Sequence, residues 1–175
     1  MMSKKSRRLR CCAAAFAGTL ATAALLMTSM PSQADHGLPH PELLGHGTFL
    51  DDVGINLRNK VFGRQTHVVQ MNGASDLFVL RITIEAGGIA PWHNHKGVGF
   101  LINTGPGILT NYLGDDCQPR FFYPGDAFID PGHGDLHAVR NDSDEDIVIL
   151  ATFVATEGPP VIPEPAPDHC SHVLD

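Results

Sequence analysis

Residues 125–141 read GDAFIDPGHGDLHAVRN. A Gly-Asp turn opens the stretch and a short apolar run follows. Asp130-Pro131-Gly132 then turns the chain again, and His137 begins a second run that closes on Asn141. Two strand-length segments punctuated by turn residues, with a histidine at the head of the second, predict a pair of β-strands that fix one imidazole in space.

Upstream, residues 91–105 read PWHNHKGVGFLINTG. Positions i and i+2 of a strand share a face, so His93 and His95 point the same way, as two ligands of one ion must. In a chain with 10 histidines such a pair means little alone. Four residues beyond His95, where a carboxylate would complete a metal-binding pattern, stands Gly99.

Period-two alternation extends through the body of the chain. It predicts strands over 65–71, 77–84, 98–103, 108–113, 119–123, 127–130, 137–141 and 147–154, separated by Gly, Asn, Asp and Pro clusters. Only the stretch 59–76 leaves room for a short helix. The pattern predicts an all-β, single-domain sandwich or barrel of jelly-roll type.

The ends differ from this body. Lys4, Lys5, Arg7, Arg8 and Arg10 precede an Ala- and Leu-rich run, and Ser32-Gln33-Ala34 offers the small residues a signal peptidase accepts. Residues 1–34 therefore read as an export signal, general or twin-arginine. The apolar run is short for a membrane span, so none is expected after cleavage. Residues 35–58 read as an extended arm, 59–157 as the barrel and 158–175 as a Pro-rich tail running extended over the surface. The expected location is secreted or periplasmic.

Five of the 12 Lys and Arg lie in the signal and none of the 19 Asp and Glu do, which leaves residues 35–175 with a net charge of −12. That excludes nucleic acid as a partner, because phosphate backbones demand a basic surface. Cys117 and Cys170 are the cysteines beyond the signal, and an even pair in an oxidising compartment reads as one disulfide tethering the tail. His169 and His172 flank Cys170, so metal ligation there is the competing reading.

The two quoted stretches together resemble the cupin superfamily, whose first motif is G-x5-H-x-H-x3/4-E-x6-G and whose second is G-x5-P-x-G-x2-H-x3-N. Gly87, His93 and His95 fit the first; Gly125, Pro131, Gly134, His137 and Asn141 fit the second. Gly99 stands at the glutamate position (Phe100 under the longer spacing). One extra residue separates Pro131 from Gly134, and the closing glycine of the first motif falls at Gly105 or Gly107. The sequence also looks like a group of small exported cupin-domain proteins with PWH-x-H-x-G and DPG-x-G-x-x-H-x-x-RN segments.

The resemblance implies a jelly-roll barrel in which His93, His95 and His137 hold one divalent metal (Fe, Zn, Ni, Cu or Mn), and a homodimer formed through sheet edges. Without an acid the centre would carry a full +2, favouring an anionic small-molecule ligand. Asp135, two residues before His137, is the candidate replacement for the glutamate. His133, Asn141, Trp92 and Phe100 are candidates for the surrounding shell or the cavity wall. Three readings of function stand: an oxygenase-type enzyme, a non-enzymatic metal or small-ligand binding module, and a structural barrel with vestigial ligands.

Overall fold

The computed structural model describes residues 37–60, 66–132, 134–155 and 161–174. The export-signal reading of residues 1–34 lies outside them. Among the described residues, alternating side chains make ten strands: β1 (His40–Lys60), β2 (Thr66–Ile84), β3 (Ile89–His95), β4 (Val98–Asn103), β5 (Leu109–Leu113), β6 (Pro119–Phe122), β7 (Ala127–Asp130), β8 (His137–Asn141), β9 (Ile147–Ala155) and β10 (Val161–Pro163). They form two five-stranded antiparallel sheets, ordered β1-β2-β9-β4-β7 and β10-β3-β8-β5-β6.

Each sheet turns one apolar face inward. On β9 the buried set Ile147, Ile149, Ala151 and Phe153 alternates with Val148, Leu150 and Thr152, which face out. Leu101 of β4, Leu109 of β5, Phe122 of β6 and Val139 of β8 close against it to make the main core. Burying a side chain of this size contributes about 1.5–3 kcal/mol, so this interior is the main source of the barrel's stability. The jelly roll expected from the alternation is what forms.

Three parts of the chain differ from the expectation. The segment read as an extended arm is strand β1, paired with β2 along nearly its whole length, so the boundary expected at residues 58/59 falls inside a strand. The room left for a helix between 59 and 76 is filled by β1 and β2 wherever the chain is described. The tail, expected to run extended, contributes β10, which pairs with β3 at the sheet edge, and a 3-10 turn over Asp168–Cys170. Pro163 is tolerated there because an edge strand needs only one of its two rows of hydrogen bonds.

Beyond β10 the tail lies on the outer face of the second sheet. Trp92, Ala138, Cys170 and Val173 form a small buried cluster, and the Arg140 guanidinium donates to the Val173 carbonyl at 3.0 Å. Cys117 and Cys170 are disulfide-bonded, with Cα atoms 5.5 Å apart. Among the described residues no helix is long and apolar enough to cross a membrane.

Candidate metal centre

His93 and His137 are cross-strand partners on β3 and β8, and His95 lies two residues further along β3. Sheet pairing thus joins ligands 44 residues apart in the chain. One ring nitrogen from each histidine lies within 4.8 Å of the other two. His95 and His137 are buried and His93 is partly so.

Main-chain carbonyls select the ring nitrogens. His93 Nδ1 donates to the Pro91 carbonyl at 2.6 Å, and His137 Nδ1 donates to the Asp135 carbonyl at 2.9 Å. Each bond fixes the proton on Nδ1 and leaves the Nε2 lone pair available, the arrangement that orients metal-ligating imidazoles. Burial disfavours the charged imidazolium. It is the main cause holding His93 at about 4, with repulsion from His137 adding to it, and burial likewise lowers His137. Neutral imidazoles are the metal-binding form, so the cluster suits a cation.

An acid is present, at a position the sequence reading did not assign. Asp130 Oδ2 lies 3.2 Å from His95 Nε2 and 3.3 Å from His137 Nε2. Its other oxygen accepts from the Gly132 amide at 2.8 Å. Gly132 has φ +65° and a Cβ there would run into the Gly97 carbonyl, so the turn holding the carboxylate requires glycine. Burial pushes the Asp130 carboxyl up to about 6, against the Gly132 hydrogen bond and the field of His93. The available signal was alternation on β7: Asp130 shares the face of Phe128, which packs on the core.

Asp135 precedes strand β8 and does not lie on it. It borders the cavity, its main-chain carbonyl accepts from His137 Nδ1 and its carboxylate favours the charged form of that ring; like Asp130, it is outside the group of three histidines whose ring nitrogens converge. Gly134, at φ +90°, ends the turn and β8 begins only at His137, so Asp135 lacks the i/i+2 relation a strand would give. His133 lies outside the described residues. Asn141 is at the far end of β8, where its amide donates to the carbonyls of Ile84, Glu85 and Glu145 and acts as a structural clamp. Phe100 faces outward, 39% exposed, beside Ile102 and Leu150. Trp92 does line the cavity, while also packing under the tail.

The cavity behind the histidines occupies about 640 Å³. Its wall is mostly the barrel core itself, including Ile84, Leu101, Leu109, Phe122, Ile149 and Phe153. Asn111 is a polar exception on this wall: its Oδ1 is buried and has no hydrogen-bond partner among the described residues. Asn111 pairs with Val139, one inward-facing step along β8 from His137, which is roughly 7 Å of strand.

A two-sheet antiparallel barrel therefore carries both histidine motifs on its inner wall, with His93, His95 and His137 converging. This is the jelly-roll barrel that the cupin resemblance of the two motifs implies. No protein-family model and no curated protein matches the sequence. Among solved structures, the chain is similar to a cupin domain from Bordetella pertussis Tohama I, at 16% identity and a TM-score of 0.46, over 70% of this chain and 99% of that one. It is similar to a cupin-like protein of Thermotoga maritima MSB8, at 22% identity and a TM-score of 0.45, over 51% of this chain and 65% of that one. It is also similar to the DMSP lyase DddQ of Ruegeria pomeroyi DSS-3, at 22% identity and a TM-score of 0.44, over 53% of this chain and 44% of that one.

Proposed function

We propose that this protein is an exported cupin that holds one divalent metal through His93, His95 and His137 and presents it to a small, largely apolar ligand inside the barrel. The observation carrying the reading is the convergence of three imidazoles, two of them held toward the neutral form by burial, at an apolar cavity of about 640 Å³. An emptied structural barrel has no need of two carbonyl bonds that preset the tautomers of His93 and His137. The disulfide and the signal-like leader support a location outside the cytoplasm.

The cavity describes the ligand. Its apolar wall favours a hydrocarbon or aromatic body, and the buried Asn111 Oδ1 calls for one hydroxyl or amine donor. The metal end favours a chelating oxygen, anionic in the simplest case. When bound, the metal supplies Lewis acidity to that group. The protein's part is to orient the ligand and exclude water.

Turnover of that ligand by an oxygenase-type reaction is the enzymatic form of this reading. Oxygen uptake by metal-loaded protein, measured over a panel of phenols, diketones and thiols, tests it. Uptake that depends on His137 supports an enzyme; ligand binding without uptake assigns a binding module. Failure of both metal and ligand to bind overturns the reading.

A further inference from the structure

Gly99 occupies the position where the cupin pattern places a glutamate, and its Cα partner across the β4–β7 ladder is Asp130. A side chain at Gly99 would have no room: its Cβ would lie 2.6 Å from Phe153 Cε1 and 3.0 Å from Leu101 Cδ1. The Phe153 ring fills that space and stacks on His95, with centroids 4.5 Å apart. One strand over, Asp130 reaches the same histidines from the opposite sheet. Its Oδ2 stands 3.2 and 3.3 Å from two Nε2 atoms while the Gly132 amide anchors Oδ1. Two ligands bound cis at about 2.1 Å from one ion lie roughly 3.0–3.4 Å apart, so these spacings suit a shared coordination sphere.

From this geometry we infer that Asp130 is the fourth protein donor of the metal centre, supplying from β7 the carboxylate that Gly99 removes from β4. The inference rests on the three-histidine reading proposed above and extends it. A set of three nitrogens and one carboxylate oxygen leaves the loaded centre at +1 instead of +2. That relaxes the demand for an anionic ligand and raises affinity for the harder ions Mn(II) and Fe(II) relative to a neutral donor set. Asp135, whose carbonyl orients His137, acts through that histidine and remains a positioning residue.

The test is metal affinity, read without any assay of turnover. Chelator-stripped protein is titrated with Mn(II) and with Zn(II) against a competing fluorescent chelator, for wild type, Asp130→Asn, Asp135→Asn and His93→Ala. Asp130→Asn is expected to weaken Mn(II) binding by at least about 10-fold and Zn(II) binding by less, and Asp135→Asn to cost less than Asp130→Asn for both. Unchanged Mn(II) affinity in a folded Asp130→Asn protein, or an equal loss in Asp135→Asn, overturns the inference while leaving the histidine site standing. Metal binding that is indifferent to His93→Ala overturns the site itself, and the inference with it. Should Asp130→Asn fail to fold, wild type labelled with 13C at aspartate carboxyls gives a second readout. Metal-induced infrared difference spectra are expected to show a shifted aspartate carboxylate stretch, and spectra without one overturn the inference.

Discussion

Gly99 and Asp130 are paired across β4 and β7, so the place emptied of an acid and the acid that faces the histidines are neighbours in the same ladder. Phe153 explains why the two cannot be exchanged, because its ring occupies the volume a longer residue at 99 would need. Restoring a glutamate by Gly99→Glu is therefore expected to destabilise the barrel by about 1–3 kcal/mol through overpacking, with no gain in metal affinity. Denaturant unfolding, together with the metal titration, checks both halves. A stable variant that binds metal more tightly would show that the pocket beside Phe153 is more open than the structure has it.

Asn111 trades stability for a binding role. Its buried Oδ1 lacks a partner among the described residues, and an unmet buried acceptor costs about 1–3 kcal/mol. Asn111→Leu keeps the branching at Cγ and removes the acceptor, so the ligand-free protein is expected to become more stable by about 1 kcal/mol or more. Thermal unfolding measures this. A lower Tm would mean that the amide serves the fold.

The metal-free site sets a pH dependence. His93 is held at about 4 against 6.5 in the unfolded chain, and His137 is also lowered. Between those limits the unfolded state binds the histidine protons and the folded state does not, so stability rises with pH from roughly 4 to 6.5. Asp130 opposes this, because its carboxyl sits at about 6 against 3.8 and the folded state holds that proton until pH passes through 6. Two histidines outweigh one aspartate. The metal-free protein should lose stability on acidification from pH 6.5 to 4, and more steeply in Asp130→Asn. Calorimetry across that range gives the slope; a profile that is flat in both proteins contradicts the assignment.

The tail is part of the site. β10 pairs Val161 with His95 and Pro163 with His93, and both tail residues line the cavity. The Cys117–Cys170 bond closes 53 residues of chain and holds that strand in place. Loop entropy alone assigns such a bond roughly 4 kcal/mol. Cys117→Ser with Cys170→Ser is expected to lower stability by up to that amount and to speed metal release to a chelator by several-fold. Stopped-flow release kinetics decide the second point, and an unchanged rate would separate the tail from the centre.

The parts of this account that were legible in the sequence are those that follow one strand at a time. Alternation found β4, β7 and β8 to the residue, and the i/i+2 rule put His93 and His95 on one face. Asp130 escaped because its relation to Gly99 and the histidines is made by pairing between strands, which a pattern along one strand does not express. Asp135 is the converse case: its spacing from His137 is right for a strand, but the Gly134 turn lies where the strand would be. β1 was read as an arm because its Gly- and Pro-bearing sequence lacks the alternation of a core strand, and its order comes from pairing with β2. Asn141 fitted the cupin pattern yet serves as a clamp on three carbonyls, since a motif position records a residue type and not its task.

The most direct measurement is the metal content of the exported protein as isolated, by elemental analysis, for wild type and for His93→Ala. The account predicts about one divalent metal per chain in wild type and a large loss in the variant. A content far below one per chain, unchanged by His93→Ala, would contradict it.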